Sequence, residues 1–528
     1  MTRVLRATHR FLARLAFLLL VPFCARAYVC ETAAFELIAA NSPYGVTLTS
    51  AGLQDGPGTY CQVEGEIANA DDGRSQIKFR FRLPDAAAWN GKFLVIGNGG
   101  TAGMFQGEAR VQVALQLGYA TGQTDTGHVS GGPQDWLLEE IRPGVIVAND
   151  VTIEDFAHRS IHLTTVVGKQ FVDAFYAQEP EYSYYFGCST GGRQGLKAMQ
   201  RYPNDYDGVV AGAPVFSLPR LNISQLWTAQ QVAKLEAESE PLSGRQLDLL
   251  KEATVGTCDA LDGLTDRIID DPRQCEFDPA VLQCAASESP PQCLTESQVQ
   301  FVRAIYQGPV TEAGERIYPG RLPGGEAGPG GWQGFLRAAC SNAEGTGRCD
   351  YFSRAWNQGS GAELLRDFSI DNTEDVAAVD SAYYSGVIRA DNPDVTPFVQ
   401  SGGKAILYHG WNDTNVTPIP TVELYEAMED TVSRKRCVRD FRDHVRLFMA
   451  PGMLHCGRGD GPNNYTRSVL EAIDTWVTED RAPDAIVVTH EGRGLSRPWC
   501  PYPQVARLKE PGLDSNDAES FQCVTLTE

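Results

Sequence analysis

The sequence predicts an α/β fold, in which buried strands alternate with helices around a central sheet. Short apolar runs bounded by turn-forming residues occur where core strands are expected. They cover residues 92–96, 182–186, 206–212, 404–410 and 446–449. Helix-like stretches follow several of these runs, and this alternation is typical of an α/β sheet.

Other segments predict the elements around these strands. Residues 77–83 alternate apolar and basic side chains, which indicates a half-exposed antiparallel strand. Residues 155–175 carry apolar residues at helical spacing and lead into the strand that follows them. Residues 194–201 predict a helix directly after that strand, and residues 469–477 predict a closing amphipathic helix.

The composition changes in the middle of the chain. From residue 216 to residue 397, helix-like pieces alternate with loops rich in Gly and Pro. We interpret this segment as an inserted lid domain. The α/β core then comprises residues 28–215 and 398–528.

The N-terminus has the features of a secretory signal peptide. A basic start precedes an apolar run over residues 11–23, and Ala25 and Ala27 are small residues placed for cleavage. We predict that residues 1–27 are removed and that the protein is exported, to the periplasm or outside the cell. An uncleaved membrane anchor is the alternative.

The charge balance restricts the partners. The chain of 528 residues has 45 Lys and Arg against 67 Asp and Glu, a formal net charge of -22. Such a charge repels nucleic-acid phosphates and anionic membranes. We expect a small-molecule substrate, no nucleic acid, and no membrane association after signal cleavage.

A short glycine-rich segment carries the clearest chemical signal. Residues 187–191 fit G-x-S-x-G, with a predicted strand before them and a predicted helix after them. In a nucleophile elbow this turn exposes the serine, here Ser189, at the head of the helix. Backbone N–H groups there favour a developing negative charge. The alternative is a structural Gly-rich turn.

Two further residues complete a catalytic constellation. Asp413 and His455 each follow a predicted strand, and Ser189, Asp413 and His455 occur in the order of an α/β-hydrolase. A serine hydroxyl needs a histidine base, and that histidine needs a carboxylate to hold its tautomer. The predicted fold is therefore an α/β-hydrolase fold with a large inserted lid domain. The other candidate bases are His128, His158, His162, His409, His444 and His490, of which His409 lies inside a strand and is expected to be packed.

A cysteine adjoins both the predicted nucleophile and the predicted base. Cys188 precedes Ser189, and Cys456 follows His455. A disulfide between the two cysteines would hold their Cα atoms within about 7 Å and bring both loops together. The alternative is that each cysteine pairs elsewhere or remains a buried thiol.

Two other polar segments have weaker signals. The glycine-rich loop at residues 97–103 follows a core strand, where an α/β-hydrolase places one oxyanion-hole donor, and it does not match a dinucleotide-binding pattern. Asp125 and His128 lie in the segment that follows residues 117–122. We expect them to fix a turn through hydrogen bonds rather than to act in catalysis.

An acidic loop lies between Cys258 and Cys275. Asp259, Asp262 and Asp266 surround a Gly turn and alternate with backbone carbonyls, a donor set that suits a hard cation such as Ca²⁺. The alternative is a solvated acidic loop closed by a disulfide.

The number of cysteines also fits an exported protein. The chain has 14 cysteines, and disulfides form in oxidising compartments. Signal cleavage would remove Cys24 and leave an odd number, so at least one cysteine would be unpaired. Cys437 is the candidate.

These motifs together resemble the tannase and feruloyl esterase family, which also includes mono(2-hydroxyethyl) terephthalate hydrolase. The resemblance is carried by residues 187–193, 410–413, 451–457 and the loop from 258 to 275. It implies a secreted esterase with a lid over its active site. It also implies an oxyanion hole made by the backbone N–H groups of Gly100 and Thr190, although some relatives have an acidic residue in place of Thr190.

The same resemblance implies a structural calcium site and a set of disulfides. The calcium ligands would be the carboxylates of Asp259, Asp262 and Asp266 and the carbonyls of Leu264 and Ile268. No organic cofactor is implied. The implied disulfides are Cys30–Cys61, Cys188–Cys456, Cys258–Cys275, Cys284–Cys293 and Cys500–Cys523, with Cys340–Cys349 as a plausible sixth.

The leading hypothesis is hydrolysis of an aromatic carboxylic ester of the feruloyl or galloyl type. Terephthalate monoesters stay open as substrates. The lid aromatics proposed to flank the ring are Trp332, Tyr351, Phe352 and Trp356. The alternatives are acyl transfer to an alcohol, or a non-catalytic polyphenol- or carbohydrate-binding protein on the same fold.

Overall fold

The structure is a computed structural model that describes residues 29–68, 74–129, 135–337, 348–435 and 440–525. The predicted signal peptide lies outside the described residues. Cys340 and Cys437 lie outside them too, so the Cys340–Cys349 pair and the free Cys437 stay predictions.

The described chain contains fifteen strands. The strands are β1 (Val46–Asp55), β2 (Thr59–Ile67), β3 (Ile77–Pro84), β4 (Lys92–Ile96), β5 (Ala120–Thr124), β6 (Leu138–Arg142), β7 (Val145–Ala148), β8 (Tyr182–Cys188), β9 (Gly208–Gly212), β10 (Lys404–Gly410), β11 (Val445–Ala450), β12 (Ile486–His490), β13 (Leu495–Trp499), β14 (Gln504–Leu508) and β15 (Phe521–Thr525).

Helices flank the strands along the same residues. The α-helices are α1 (Thr32–Asn41), α2 (Glu108–Gln116), α3 (Asp150–Glu154), α4 (Ser160–Tyr176), α5 (Thr190–Arg201), α6 (Leu218–Ala237), α7 (Gly244–Cys258), α8 (Glu296–Gln307), α9 (Gln333–Arg337), α10 (Arg348–Trp356), α11 (Gly361–Asp367), α12 (Thr373–Ser381), α13 (Tyr383–Ile388), α14 (Thr396–Gln400), α15 (Ile419–Arg434) and α16 (Thr466–Glu479).

A nine-stranded sheet forms the centre, in the order β1-β2-β3-β5-β4-β8-β9-β10-β11. The strands from β1 through β5 pair antiparallel, and from β5 through β11 each neighbouring pair is parallel. Strands β9 and β10 are buried along their whole length. Burial on both faces explains why these strands appear in the sequence as continuous apolar runs. The predicted α/β fold is confirmed.

Strand β3 differs from its prediction on one face. Its antiparallel pairing is as expected, with β2 on one side and β5 on the other. Lys78 is exposed, but Arg82 is only 6% exposed. The Arg82 guanidinium donates to Glu108 Oε1 at 2.7 Å and to Gln62 Oε1 at 3.0 Å. Helix α2 therefore covers a face that the alternating pattern left open to solvent.

Two helix boundaries also differ. The predicted helix over residues 155–175 begins with a π-helical turn, Asp155–Arg159, before α4. The predicted helix over residues 194–201 begins earlier, at Thr190, because the chain turns from strand into helix at a single residue.

The segment between β9 and β10 contains the helices α6 to α14 and no strand of the central sheet among its described residues. Trp332 belongs to an apolar cluster formed within this segment. Trp356 belongs to a cluster that also includes Ile153 and Phe156 of the preceding core. This helical character agrees with the composition of the predicted lid. The domain limits at residues 216 and 397 stay predictions.

Five disulfides connect described residues. They are Cys30–Cys61, Cys188–Cys456, Cys258–Cys275, Cys284–Cys293 and Cys500–Cys523. Each is a pair that the family resemblance implies. None of the helices in the described ranges combines the length and the apolar character needed to cross a membrane.

Candidate active site

Ser189 is the single residue between strand β8 and helix α5. Its backbone has φ 65° and ψ -122°, a conformation that costs on the order of 1–3 kcal/mol for a residue with a side chain. The flanking glycines make the turn possible. A Cβ at Gly191 would lie 2.8 Å from the Asn98 carbonyl oxygen, and one at Gly192 would lie 2.2 Å from the Gly212 carbonyl oxygen. The turn places the Ser189 side chain at the start of α5.

The structure joins the three predicted side chains by hydrogen bonds. His455 Nε2 lies 3.0 Å from Ser189 Oγ, and His455 Nδ1 lies 2.7 Å from Asp413 Oδ2. Asp413 is in the turn after β10, and His455 is in the loop after β11. Because β10 and β11 are parallel neighbours, both loops leave the sheet at the same edge.

The Asp413 carboxylate is buried, with 2% of the residue exposed. Its Oδ1 accepts from the backbone N–H groups of Asn415 and Val416, each at 2.9 Å. Burial by itself would raise the pKa of Asp413. The charge interaction with His455 and hydrogen bonds from His409 and His455 outweigh burial and hold the pKa well below its usual range. Asp413 is therefore ionised and can stabilise a protonated His455.

The Cys188–Cys456 disulfide joins the residues next to Ser189 and His455. The two Cα atoms lie 6.0 Å apart, across a sequence separation of 268 residues. The cross-link ties the end of β8 to the loop after β11. It therefore restrains the two loops whose side chains, Ser189 and His455, are in hydrogen-bond contact.

The loop after β4 lies against the start of α5. Thr190 Oγ1 donates to the Gly100 carbonyl at 2.6 Å, and Gln106 Oε1 accepts from Gly99 N–H at 2.6 Å. Gly100 has φ +58°, a conformation that glycine adopts without strain. Gly100 and Thr190, the predicted oxyanion-hole residues, both line the cavity that contains Ser189.

Asp125 and His128 fix a turn, as predicted. Asp125 Oδ1 accepts from Lys78 N–H at 3.0 Å and from Gly127 N–H at 2.9 Å. Burial raises the pKa of Asp125 to about 6 and lowers the pKa of His128 to about 4. His128 Nε2 lies 2.7 Å from the Thr101 carbonyl oxygen. This pair therefore supports the loop that contains Gly100.

The other candidate histidines bond to groups other than Ser189. His158 contacts the Tyr202 hydroxyl, His162 contacts Asp205, and His444 and His490 contact backbone carbonyls. His409 is fully buried in β10, as expected, but it also contacts Asp413. The sequence did not reveal that contact.

A cavity of about 480 Å³ opens beside Ser189. Its lining includes Gly100, Thr101, Ser189, Thr190, Val215, Leu218, Leu221, Asn222, Gln225, Arg348, Tyr351, Phe352, Asn415, Val416 and His455. Tyr351 and Phe352 of the inserted segment thus face the site. Trp332 and Trp356, the other two aromatics proposed to flank a substrate, are buried elsewhere in that segment and are absent from this lining.

The acidic loop contains the predicted donors for a hard cation. Asp259 Oδ1 accepts from Asp266 N–H and Ile268 N–H at 3.2 Å each, and Asp262 Oδ1 accepts from Leu264 N–H at 2.9 Å. The Asp266 carboxylate also pairs with Arg497. The donor types fit Ca²⁺. Within the described ranges, however, no three His, Cys, Asp or Glu side chains are grouped closely enough to hold a metal ion.

The mixed sheet, the strained serine turn and the hydrogen-bonded Ser, His and Asp define the class of α/β-hydrolase enzymes. The sequence of residues 61–524 matches the family model described as tannase and feruloyl esterase. The chain belongs to this family, and its members are carboxylic ester hydrolases.

Individual relatives extend along most of the chain. Mono(2-hydroxyethyl) terephthalate hydrolase of Piscinibacter sakaiensis is 33% identical, with 92% of this chain and 88% of that protein covered. Probable feruloyl esterase B-1 of Aspergillus oryzae is 30% identical, with 88% and 84% covered. The crystal structure of feruloyl esterase B from Aspergillus oryzae superposes with a TM-score of 0.76 at 27% identity, covering 93% of this chain and 99% of that one.

Proposed function

We propose that this protein is a secreted or periplasmic serine esterase that hydrolyses aromatic carboxylic esters through Ser189, His455 and Asp413. The observation that carries the proposal is the unbroken hydrogen-bonded chain of these three side chains at the wall of a cavity. The five disulfides that join described residues fit an oxidising compartment.

The geometry supports a two-step acyl transfer. Ser189 Oγ attacks the ester carbonyl carbon and gives its proton to His455 Nε2, while Asp413 stabilises the resulting imidazolium. The tetrahedral intermediate collapses, and the leaving alkoxide takes that proton and departs as the alcohol. His455 then removes a proton from water, and the hydroxide attacks the acyl-enzyme. Collapse of the second intermediate releases the acid and returns the proton to Ser189.

The cavity and the relatives favour an aromatic acyl group. Tyr351 and Phe352 supply ring surface that can pack against an arene. The relatives' names include feruloyl esters and a terephthalate monoester. Initial rates on methyl ferulate, methyl gallate and mono(2-hydroxyethyl) terephthalate, compared with an aliphatic ester of similar size, test the proposal. A preference for the aliphatic ester would contradict it.

Arg348 is expected to distinguish the terephthalate monoester, which carries a free carboxylate, from the neutral esters. Of the described residues that line the cavity, it is the only lysine or arginine. The Arg348 side chain is solvent-accessible at the cavity wall, and a guanidinium there can form a bidentate pair with a carboxylate. We expect Arg348→Gln to raise KM for the terephthalate monoester about tenfold or more, and to change KM for neutral methyl ferulate less than twofold.

The control for Arg348 is Arg366→Gln on the exposed part of α11, where the arginine pairs with Asp367. Arg366→Gln should change KM neither for the terephthalate monoester nor for methyl ferulate. Equal effects of Arg348→Gln on both substrates would show that Arg348 shapes the cavity and does not pair with an acidic substituent.

We also propose that the acidic loop binds Ca²⁺ through Asp259, Asp262, Asp266 and the carbonyls of Leu264 and Ile268. Its support is the donor chemistry of this disulfide-closed loop. Because a metal that binds only the folded state stabilises it, EDTA should lower the melting temperature by several degrees, and Ca²⁺ should restore it.

Asp262→Asn removes one proposed ligand charge and should abolish the response to EDTA. Asp278→Asn, an exposed aspartate that pairs with Arg303 outside the loop, is the matched control. Unchanged melting on chelation, with no calcium found by elemental analysis, would indicate that ion pairs such as Arg497–Asp266 hold the loop instead.

A further inference from the structure

His409 belongs to strand β10, four residues before Asp413, and its side chain is fully buried. A histidine in a core strand is usually a packing residue. This one differs because both of its ring nitrogens are used by polar groups that adjoin the proposed active site.

The contacts of His409 define its tautomer. Nε2 lies 2.9 Å from the Val416 carbonyl oxygen and 3.2 Å from Asp413 Oδ2. A carbonyl and an ionised carboxylate only accept, so Nε2 carries the proton. Nδ1 lies 2.8 Å from Thr421 Oγ1. In the neutral ring Nδ1 is the acceptor, and the Thr421 hydroxyl is its donor.

These contacts surround the Asp413 carboxylate with donors. Oδ1 is occupied by two backbone N–H groups, and Oδ2 receives His455 Nδ1–H and the more distant His409 Nε2–H. Tyr318 and Arg321 also lie near enough to interact electrostatically with Asp413. They contribute charge and polarity, whereas His409 contacts the oxygen that faces His455.

The position of His409 excludes two simpler roles. It cannot act as the base, because His455 and not His409 contacts Ser189 Oγ. It is not an apolar filler either, since an apolar side chain would remove a donor from the Val416 carbonyl and the Asp413 carboxylate, which are both buried.

We propose that His409 is a positioning residue for Asp413, and that Thr421 fixes the orientation of the His409 ring that this role requires. The proposal rests on the proposed function, because it assumes that Asp413 orients His455. His409 Nε2–H bridges Oδ2 and the Val416 carbonyl, so it holds the carboxylate in a fixed relation to the turn that contains it. Thr421, in the first turn of α15, supplies the second fixed point.

The least disruptive test is Thr421→Val, which removes the hydroxyl and nearly preserves the volume. Without that hydroxyl, the His409 ring loses the contact at Nδ1 that fixes its orientation, so its Nε2–H can turn away from Asp413 Oδ2. We expect kcat on methyl ferulate to fall about tenfold with little change in KM, because misplacing a catalytic group lowers the rate more than binding. Thr421→Ser, which restores a hydroxyl, should recover most of the loss.

Two readouts separate positioning from simple structural support. A weaker hydrogen bond from His409 Nε2–H leaves more negative charge on Asp413, which stabilises the imidazolium form of His455 and moves the acidic limb of the kcat/KM profile to higher pH. The low-field proton NMR signal of His455 Nδ1–H should shift in the same variant. Thr254→Val is the matched control, because Thr254 is a buried threonine that donates to a carbonyl of its own helix. It should move neither readout.

His409→Gln provides a second test, since glutamine keeps an N–H donor but not the ring geometry. We expect a larger loss of kcat, because a glutamine cannot bridge Asp413 Oδ2 and the Val416 carbonyl as the ring does. If Thr421→Val and Thr421→Ser both keep the wild-type kcat, pH profile and proton signal, the positioning role is wrong. The proposed function fails separately, if Ser189→Ala keeps its activity or if the wild-type protein prefers the aliphatic ester.

Discussion

Replacing Ser189 by alanine is expected to reduce kcat on methyl ferulate by a factor of about 10⁴ or more, as in other serine hydrolases. The reason is that Ser189 Oγ is the atom that contacts His455 Nε2 in the cavity. Initial-rate assays of the purified variant measure the loss. A fluorophosphonate probe should label the wild-type protein at Ser189 and leave the variant unlabelled.

The fold should survive this substitution. Alanine has a Cβ, as serine does, so the strain of the backbone at φ 65° is unchanged, and the melting temperature should stay close to that of the wild type. Ser189→Gly should be equally inactive but slightly more stable, because glycine adopts positive φ without strain. Ser217→Ala, near the start of α6, is the control and should stay active. Normal turnover by Ser189→Ala would refute the proposed mechanism.

The sequence was most informative where local rules determine structure. Strands β4 and β10 have the bounds that their apolar runs predicted, because a strand buried on both faces has no alternation that could confuse its limits. The serine turn was predictable for a similar local reason, since a Cβ at Gly191 or Gly192 would clash with neighbouring backbone.

Contacts made across the chain were harder to predict. Arg82 was expected to be exposed, but helix α2 covers it and Glu108 pairs with it. The substrate-facing role proposed for Trp332 and Trp356 was equally hard to judge from sequence. Their burial depends on how the helices of the inserted segment pack against one another and, for Trp356, against Phe156 of the core. No periodicity in the sequence encodes that packing.

The position of His455 shows which kind of sequence signal can predict a contact between residues far apart in the chain. Nothing local places a histidine beside a serine that is 266 residues away. The cysteines next to Ser189 and His455 did predict this contact, because a disulfide brings two residues together whatever their separation along the chain. His409 had no such marker. Its contact with Asp413 depends on the turn between them, so only the structure revealed it.

Removing the Cys188–Cys456 disulfide with a double alanine substitution is expected to reduce both stability and kcat. The cross-link closes a span of 268 residues, and chain-entropy arguments assign about 5 kcal/mol to a loop of that length. We expect the melting temperature to fall by several degrees at least. We also expect kcat to fall about 10²-fold, because displacements of about 1 Å between catalytic groups have effects of that size.

A matched control separates these two effects. The Cys284–Cys293 disulfide closes a span of only nine residues in the inserted segment, and neither cysteine lines the cavity. Its double alanine variant should lose less stability and keep the wild-type kcat at a temperature where both variants are folded. If the Cys188 and Cys456 variant kept full kcat under those conditions, the covalent link would serve stability alone. The Ser189–His455 contact would then be maintained by the sheet that holds β8 and β11, with β9 and β10 between them.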